Sequence, residues 1–207
     1  IVLTILAFGF VFFILLPLLF SGGSKMGNVA LIPISGVITG NGDSSFGQSS
    51  TSAKEIVHFI EEADQNNQVK VIVLEINSPG GSAVASDEIA SAIKKTSKPV
   101  IAVIREVGAS GGYWVASATD HIIANRMSIT GSIGVISSYL EFSGLMQKYG
   151  VSYERLVSGK NKDIGSPFQK LNEQQRKILQ QKINKIHDFF VDEIAQNRNL
   201  DTMEVQR

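Results

Sequence analysis

Between residues 29 and 124, β-branched apolar runs alternate with segments whose apolar residues recur every three or four positions. The run VKVIVLEI at 69–76 is nearly continuous, the pattern of a strand covered on both faces. Before it, Ala53, Ile56, Val57, Ile60 and Ala63 form one stripe of a helix expected over 52–65. The alternation continues as a strand at 29–38, a Gly/Ser loop at 41–51, a turn at 77–82, a helix at 84–96, a strand at 99–104, a short helix at 110–118 and a strand at 121–124. Beyond these, 133–136 reads as strand, 140–149 as helix, 152–157 as strand and 172–197 as a long amphipathic helix. Repeated βαβ units of this kind predict an α/β fold with a mostly parallel sheet, right-handed crossovers and helices on its faces. In such folds catalytic groups gather beyond the carboxyl ends of the strands.

The first 20 residues do not fit that domain. They contain no charge and one polar side chain, Thr4. Twenty residues at ~1.5 Å rise span roughly 30 Å, the hydrocarbon thickness of a bilayer. The run is longer than a secretory signal core and no A-x-A-like cleavage site follows it. We therefore expect a transmembrane helix at 1–20, a linker at 21–28 and a catalytic domain at 29–207. Asp201-Thr-Met-Glu204 announces a helix with three residues to go, so the domain is expected to lack its C-terminal part. The sequence opens with Ile rather than Met, so the flanking residues that would show a positive-inside bias are expected to be missing from it. Nineteen Lys+Arg balance nineteen Asp+Glu, which gives no basic surplus for nucleic acid. With no cysteine, disulfides, thiolate metal sites and a cysteine nucleophile are excluded.

Two glycine turns sit at expected strand ends. Asn77-Ser-Pro-Gly-Gly-Ser82 can turn sharply and present N–H groups outward, as an oxyanion hole requires, although a plain chain reversal has the same composition. No Gly-Lys-Ser/Thr follows, which disfavours a phosphate loop. In Val107-Gly-Ala-Ser-Gly-Gly-Tyr113, Ser110 opens a short helix among small residues. That position suits a nucleophile beside free helix N–H groups, but also an inert N-cap serine. His58, His121 and His187 fall within elements rather than strand-end loops, so each is a poor base for Ser110. A lysine can serve where burial lowers its pKa from about 10.4 to roughly 7–8. Lys160 and Lys162 lie in a loop between a strand and the long helix, where solvated lysines are equally at home.

The combination Asn77-Ser-Pro-Gly-Gly-Ser, Gly108-Ala-Ser-Gly-Gly-Tyr-Trp, Thr130-Gly-Ser-Ile-Gly-Val and Lys162-Asp-Ile-Gly-Ser-Pro resembles the signal peptide peptidase A family, in order from Val29 to about Leu200. The resemblance implies a Ser/Lys-dyad membrane serine protease of the crotonase/Clp-protease fold. It makes Ser110 the nucleophile, Lys162 the base with Lys160 as runner-up, and Ser132 the residue that orients the lysine. It gives Gly81 and Gly111 to the oxyanion hole, and implies no metal or cofactor. It further implies a single-pass anchor in the cell membrane, an extracytoplasmic catalytic domain, signal-peptide remnants as substrates and ring-like homo-oligomers. With one copy of the catalytic unit and several elements between Ser110 and Lys162, the dyad is expected to form between subunits. The alternatives are a stomatin-associated or Clp-like protease, an acyl-CoA enzyme of the crotonase fold and an inactive membrane scaffold. A Clp-like enzyme would want a loop histidine; an acyl-CoA enzyme has no use for a membrane span; a serine-directed fluorophosphonate probe separates the scaffold from the enzymes.

Overall fold

The computed structural model describes residues 27–43 and 49–207. The expected membrane span at 1–20 and nearly all of the linker lie outside these residues. Among the described residues, no helix is long and apolar enough to cross a membrane.

The body is a parallel sheet built from β1 (Val29–Ser35), β4 (Val71–Ser78), β5 (Val100–Ala109) and β6 (His121–Ala124), in the order β1-β4-β5-β6. A further strand, β7 (Ile129–Gly131), pairs in parallel with Val107–Ala109 at the far end of β5. β6 and β7 therefore follow one another along the same edge of β5. In the gap between them the Ser128 hydroxyl donates to the Arg105 carbonyl, continuing the edge where the ladder is interrupted.

Ile32, Ile34, Ile72, Leu74, Ile76, Val100, Ala102 and Ile104 form the buried face of the sheet. Against it pack Ile56 and Ile60 of α1 (Ala53–Gln65), Ala85, Ile89 and Ile93 of α2 (Ala83–Lys95), and Val115 and Ala116 of α3 (Gly111–Ser117). Ser52 and Ser82 start α1 and α2 as N-caps, their hydroxyls accepting from Glu55 N and Ala85 N. The opposite face is only partly covered: β4 alternates buried with half-buried residues, and Leu31 is 61% exposed. This corrects the expectation of strands covered on both faces, because α1, α2 and α3 all contribute to a single core.

The expected strand at 29–38 is two strands. Gly36, with φ +76, breaks it, and β2 (Val37–Thr39) turns away to pair with β3 (Ser50–Ser52) in a small parallel sheet. The break reserves β2 for the site, where Ile38 bridges to Gly81. β5 extends five residues past the expected end at 104, directly into Ser110.

After Gly131 the chain leaves the body. The strands expected at 133–136 and 152–157 are not formed, and the short β7 lies just before the first of them. A strand needs a ladder partner, and these segments have none among the described elements: Ile136 is 85% exposed and Leu156 fully exposed. The resulting arm contains one short helix, α4 (Ser143–Lys148). The chain returns as α5 (Glu173–Arg198), begun by an Asn172/Gln175 capping box. Its C-terminal half is anchored: Phe190 stacks on Trp114 of α3 with ring centroids 4.6 Å apart, and Val191, Ile194 and Ala195 are buried. A last turn, α6 (Thr202–Val205), follows its own Asp201/Glu204 capping box.

Candidate active site

The parallel register places Ser78 opposite Gly108, so both glycine turns emerge at the carboxyl end of the sheet from adjacent strands. At the second turn, β5 passes into α3 through Ser110, whose φ of 51° and ψ of −123° fall outside the regions ordinary residues occupy. Such a backbone costs about 1–3 kcal/mol and persists only where surrounding contacts hold it. Here Ser110 N donates to Gly131 O at 2.8 Å and Ser110 O accepts from Trp114 N at 2.9 Å. The geometry is that of a strained strand-to-helix elbow, which lifts the side chain above the sheet. Unlike Ser52 and Ser82, which have extended backbones and bonded hydroxyls, Ser110 makes no capping bond. The inert N-cap reading therefore fails at this serine, and its half-exposed hydroxyl is uncommitted.

The first turn is pressed against this elbow. A Cβ on Gly80, whose φ is +96, would stand 2.6 Å from Gly111 N and 2.9 Å from the Ser110 Cβ, so only glycine permits the approach. Ile38 N donates to Gly80 O at 3.0 Å, and Ser82 N donates to Ile38 O at 2.9 Å. In a trans peptide the N–H points opposite to the C=O. With the Gly80 carbonyl turned to β2, the Gly81 N–H must point the other way, toward α3. A Cβ built on Gly111 would lie 3.3 Å from Gly81 N. Gly111 stands at the first helical position, where an N–H has no intrahelical acceptor. Among the described residues neither N–H is given an acceptor. Gly81 and Gly111 thus bring two backbone N–H groups, without acceptors among the described residues, close to the Ser110 hydroxyl; such groups are what an oxyanion site requires.

Between α2, α3 and α5 lies a recess of about 450 Å³ lined by Ala83, Val84, Asp87, Trp114, Ile186, Phe189 and Glu193. Its lining is mostly apolar, with the carboxylates of Asp87 and Glu193 among it.

The remaining expected residues are placed differently. Ser132 has a positive φ of 54° and is exposed; it follows the Gly131 whose carbonyl holds Ser110 N. Lys160 and Lys162 are both exposed on the arm, in a chain of tight turns where Lys162 N bonds Gly159 O and Ser166 N bonds Asp163 O. Ser110 and the glycines lie together, while no hydrogen bond joins either lysine to Ser110 or Ser132 among the described residues. The lysine loop is held internally. Asp163 accepts a two-point contact from Arg155, with Nη2–Oδ1 at 2.8 Å, and a third bond from Gln169 Nε2 at 2.7 Å. Hydrogen bonding from Arg155 holds the Asp163 carboxyl down at about 2.

The histidines are remote from this end. His121 pairs with Ile101 near the start of β5, at the opposite end of that strand from Ser110. His58 is exposed on α1, and His187 lies on α5. Two serines that the sequence reading passed over belong to the site's frame. Ser78 is fully buried beneath the first turn, and Ser86 of α2 is fully buried against Gly111, where a Cβ would run into its hydroxyl. Each had a small signal, Ser78 as the residue two before Gly80 and Ser86 as the residue one turn after an N-cap.

Comparison with known proteins gives the family of the chain. The family model described as "Peptidase family S49" matches residues 92–207. A protein of Methanocaldococcus jannaschii named as a candidate protease is 34% identical over 181 residues, covering 86% of this chain and 58% of its own length. An Enterococcus faecium protein named as a candidate signal peptide peptidase SppA is 35% identical over 188 residues, covering 89% of this chain and 55% of its own. The chain therefore spans a little over half the length of these relatives. Among solved structures, a ClpP1 mutant from Listeria monocytogenes superposes with a TM-score of 0.53 over 85% of this chain and 76% of that one, at 15% identity. That similarity establishes a Clp-protease-like α/β fold.

Proposed function

The chain belongs to peptidase family S49, and from that premise we propose that it is a membrane-anchored serine endopeptidase that cleaves apolar peptides, signal-peptide remnants among them, with a Ser110/Lys162 dyad. The observation that carries the reading is the elbow at Ser110: a strained, uncapped serine facing two free glycine N–H groups. The neutral Lys162 amine takes the hydroxyl proton as Ser110 Oγ adds to the scissile carbonyl carbon. The former carbonyl oxygen, now an anion, is bound by Gly81 N–H and Gly111 N–H. The lysine returns the proton to the departing amine as the C–N bond breaks. A water then hydrolyses the acyl-serine by the same route in reverse.

The position of Lys162 supports a dyad completed between subunits. It is exposed on an arm whose apolar residues (Ile136, Leu140, Tyr149 and Leu156 among them) are also exposed. An arm of this composition suits burial against a second copy, delivering Lys162 to the neighbour's Ser110. Ser132, beside the elbow, would orient the incoming amine. The mostly apolar recess between α2, α3 and α5 is in keeping with an apolar side chain in the substrate, as expected for peptides released from a membrane. The anchor is the uncharged segment at 1–20, with the catalytic domain outside the cytoplasm.

A fluorophosphonate probe tests the nucleophile directly. The wild-type protein should be labelled on Ser110, and Ser110→Ala should be neither labelled nor active on an unstructured apolar peptide. Labelling elsewhere, or hydrolysis by the variant, removes Ser110 from the mechanism.

A further inference from the structure

The N–H of Gly81 is useful only while it points at the substrate, and the turn carrying it has two ways to lie. Gly80 has a φ of +96, a conformation that glycine leaves as readily as it enters. A change in the Gly80 backbone angles rotates the Gly80–Gly81 peptide, and the Gly81 N–H turns with it. Glycine on both sides of the Gly80–Gly81 bond offers little steric resistance.

One side chain opposes the rotation. Ser78, with 0% exposure, accepts from Gly80 N at 3.0 Å and donates to Gly36 O at 2.6 Å. The first bond fixes the orientation of the Pro79–Gly80 peptide. The second joins the turn to the break between β1 and β2, and Gly36 N is itself bonded to Asn77 O at 3.0 Å. From Gly36 the chain runs into β2, where Ile38 grips Gly80 O and Ser82 N on either side of the free Gly81 N–H. The hydroxyl thus closes a ring of bonds around the donor.

Resting on the serine-peptidase reading, we propose that Ser78 is a positioning residue for the oxyanion hole, its buried hydroxyl locking the glycine turn with the Gly81 N–H directed at the reacting carbonyl. Removing the hydroxyl leaves the Gly36 carbonyl and the buried Gly80 N–H without their partner and frees the turn to rotate. The loss falls on the transition state, because the oxyanion forms only there.

The test uses the full chain and three variants, Ser78→Ala, Ser78→Thr and Ser78→Cys. It measures kcat and KM on an unstructured apolar peptide, affinity for a peptide boronate, whose tetrahedral adduct with Ser110 puts an oxygen in the oxyanion position, and the melting curve. Ser78→Ala should lower kcat and boronate affinity by the same factor, about ten- to a hundredfold, with KM changed by less than about twofold. Ser78→Thr, which keeps the hydroxyl, should recover most of both. If Ser78→Ala is unfolded at the assay temperature, Ser78→Cys is used; its weak acceptor should give intermediate losses with the same split. Unchanged kcat and boronate affinity in a folded Ser78→Ala or Ser78→Cys protein overturns the proposal. So does activity that falls only in step with the folded fraction. Ser110→Ala, run in parallel, separates the two layers: an active Ser110→Ala defeats the peptidase mechanism itself, whereas an inactive Ser110→Ala beside an unimpaired Ser78→Ala defeats only the role of Ser78.

Discussion

At Ser110 a left-handed φ and an uncommitted hydroxyl occur together, and each would be a liability without the other's purpose. The strain is maintained by bonds to Gly131 and Trp114, and the close approach of Gly80 leaves no room for a relaxed turn with a side chain there. Gly80→Ala should therefore abolish hydrolysis, since its methyl would meet Gly111 N at 2.6 Å; a folded Gly80→Ala protein with wild-type kcat would contradict that packing. Ser132→Ala should reduce activity by about tenfold to a hundredfold, the usual effect of losing a residue that orients a catalytic partner. The loss should come with a displaced alkaline limb of the pH–rate profile, and an unchanged rate and profile would remove Ser132 from the site. Residue by residue, the placing of the glycines and Ser110 at strand ends was legible because a glycine turn after an apolar run marks where a strand stops. Ser78 was not, since a serine before Pro-Gly-Gly reads as turn composition until its burial and its two bonds are seen. Nor does the sequence distinguish Ser110 from Ser82 as helix-leading serines; only the backbone angles do.

The elements that bear on the site are those whose periodicity was strongest. The helix at Ala53–Gln65 follows from local pattern, because its apolar residues face one compact core. The arm after Gly131 did not, because its segments find no ladder partner among the described residues, and an apolar run without a ladder does not become a strand. The break at Gly36 was hidden for a different reason: an apolar run on both sides of a glycine does not reveal that the chain changes sheets. α5 links the two regimes, packed at Phe190 and projecting at its start. Phe190→Ala should cost about 3–5 kcal/mol by denaturant unfolding, since it empties the stack on Trp114; a change below about 1 kcal/mol would mean that α5 is not anchored there. The Arg155–Asp163 contact holds the lysine loop as a charged pair. Asp163 titrates at about 2, below its ordinary 3.8, so the pair's contribution is complete above roughly pH 4–5 and is lost as pH falls through 2. Arm structure, followed by amide exchange of Ser166, should accordingly be insensitive to pH between 5 and 8; a transition within that window would assign the loop's stability to another group.

At the scale of the whole molecule, the body brings Ser110, Gly81 and Gly111 together at one end of a parallel sheet, while Lys162 stands on an exposed arm. Peptidase hydrolysis should rise with pH, because only a neutral amine can accept the serine proton; a rate flat from mildly acidic to alkaline pH would argue against a lysine base that limits turnover. The central claim is that two protomers build each active site. It is tested most directly by mixing two inactive proteins, Ser110→Ala and Lys162→Ala, under conditions shown by labelled subunits to permit exchange. If the dyad forms between subunits, random mixing at equal amounts pairs an intact serine with an intact lysine at about a quarter of the sites, and hydrolysis should return to that order of the wild-type rate. If exchange is demonstrated and no activity returns, or if an isolated monomer is fully active, Ser110 and Lys162 do not meet across an interface and the shared site is wrong.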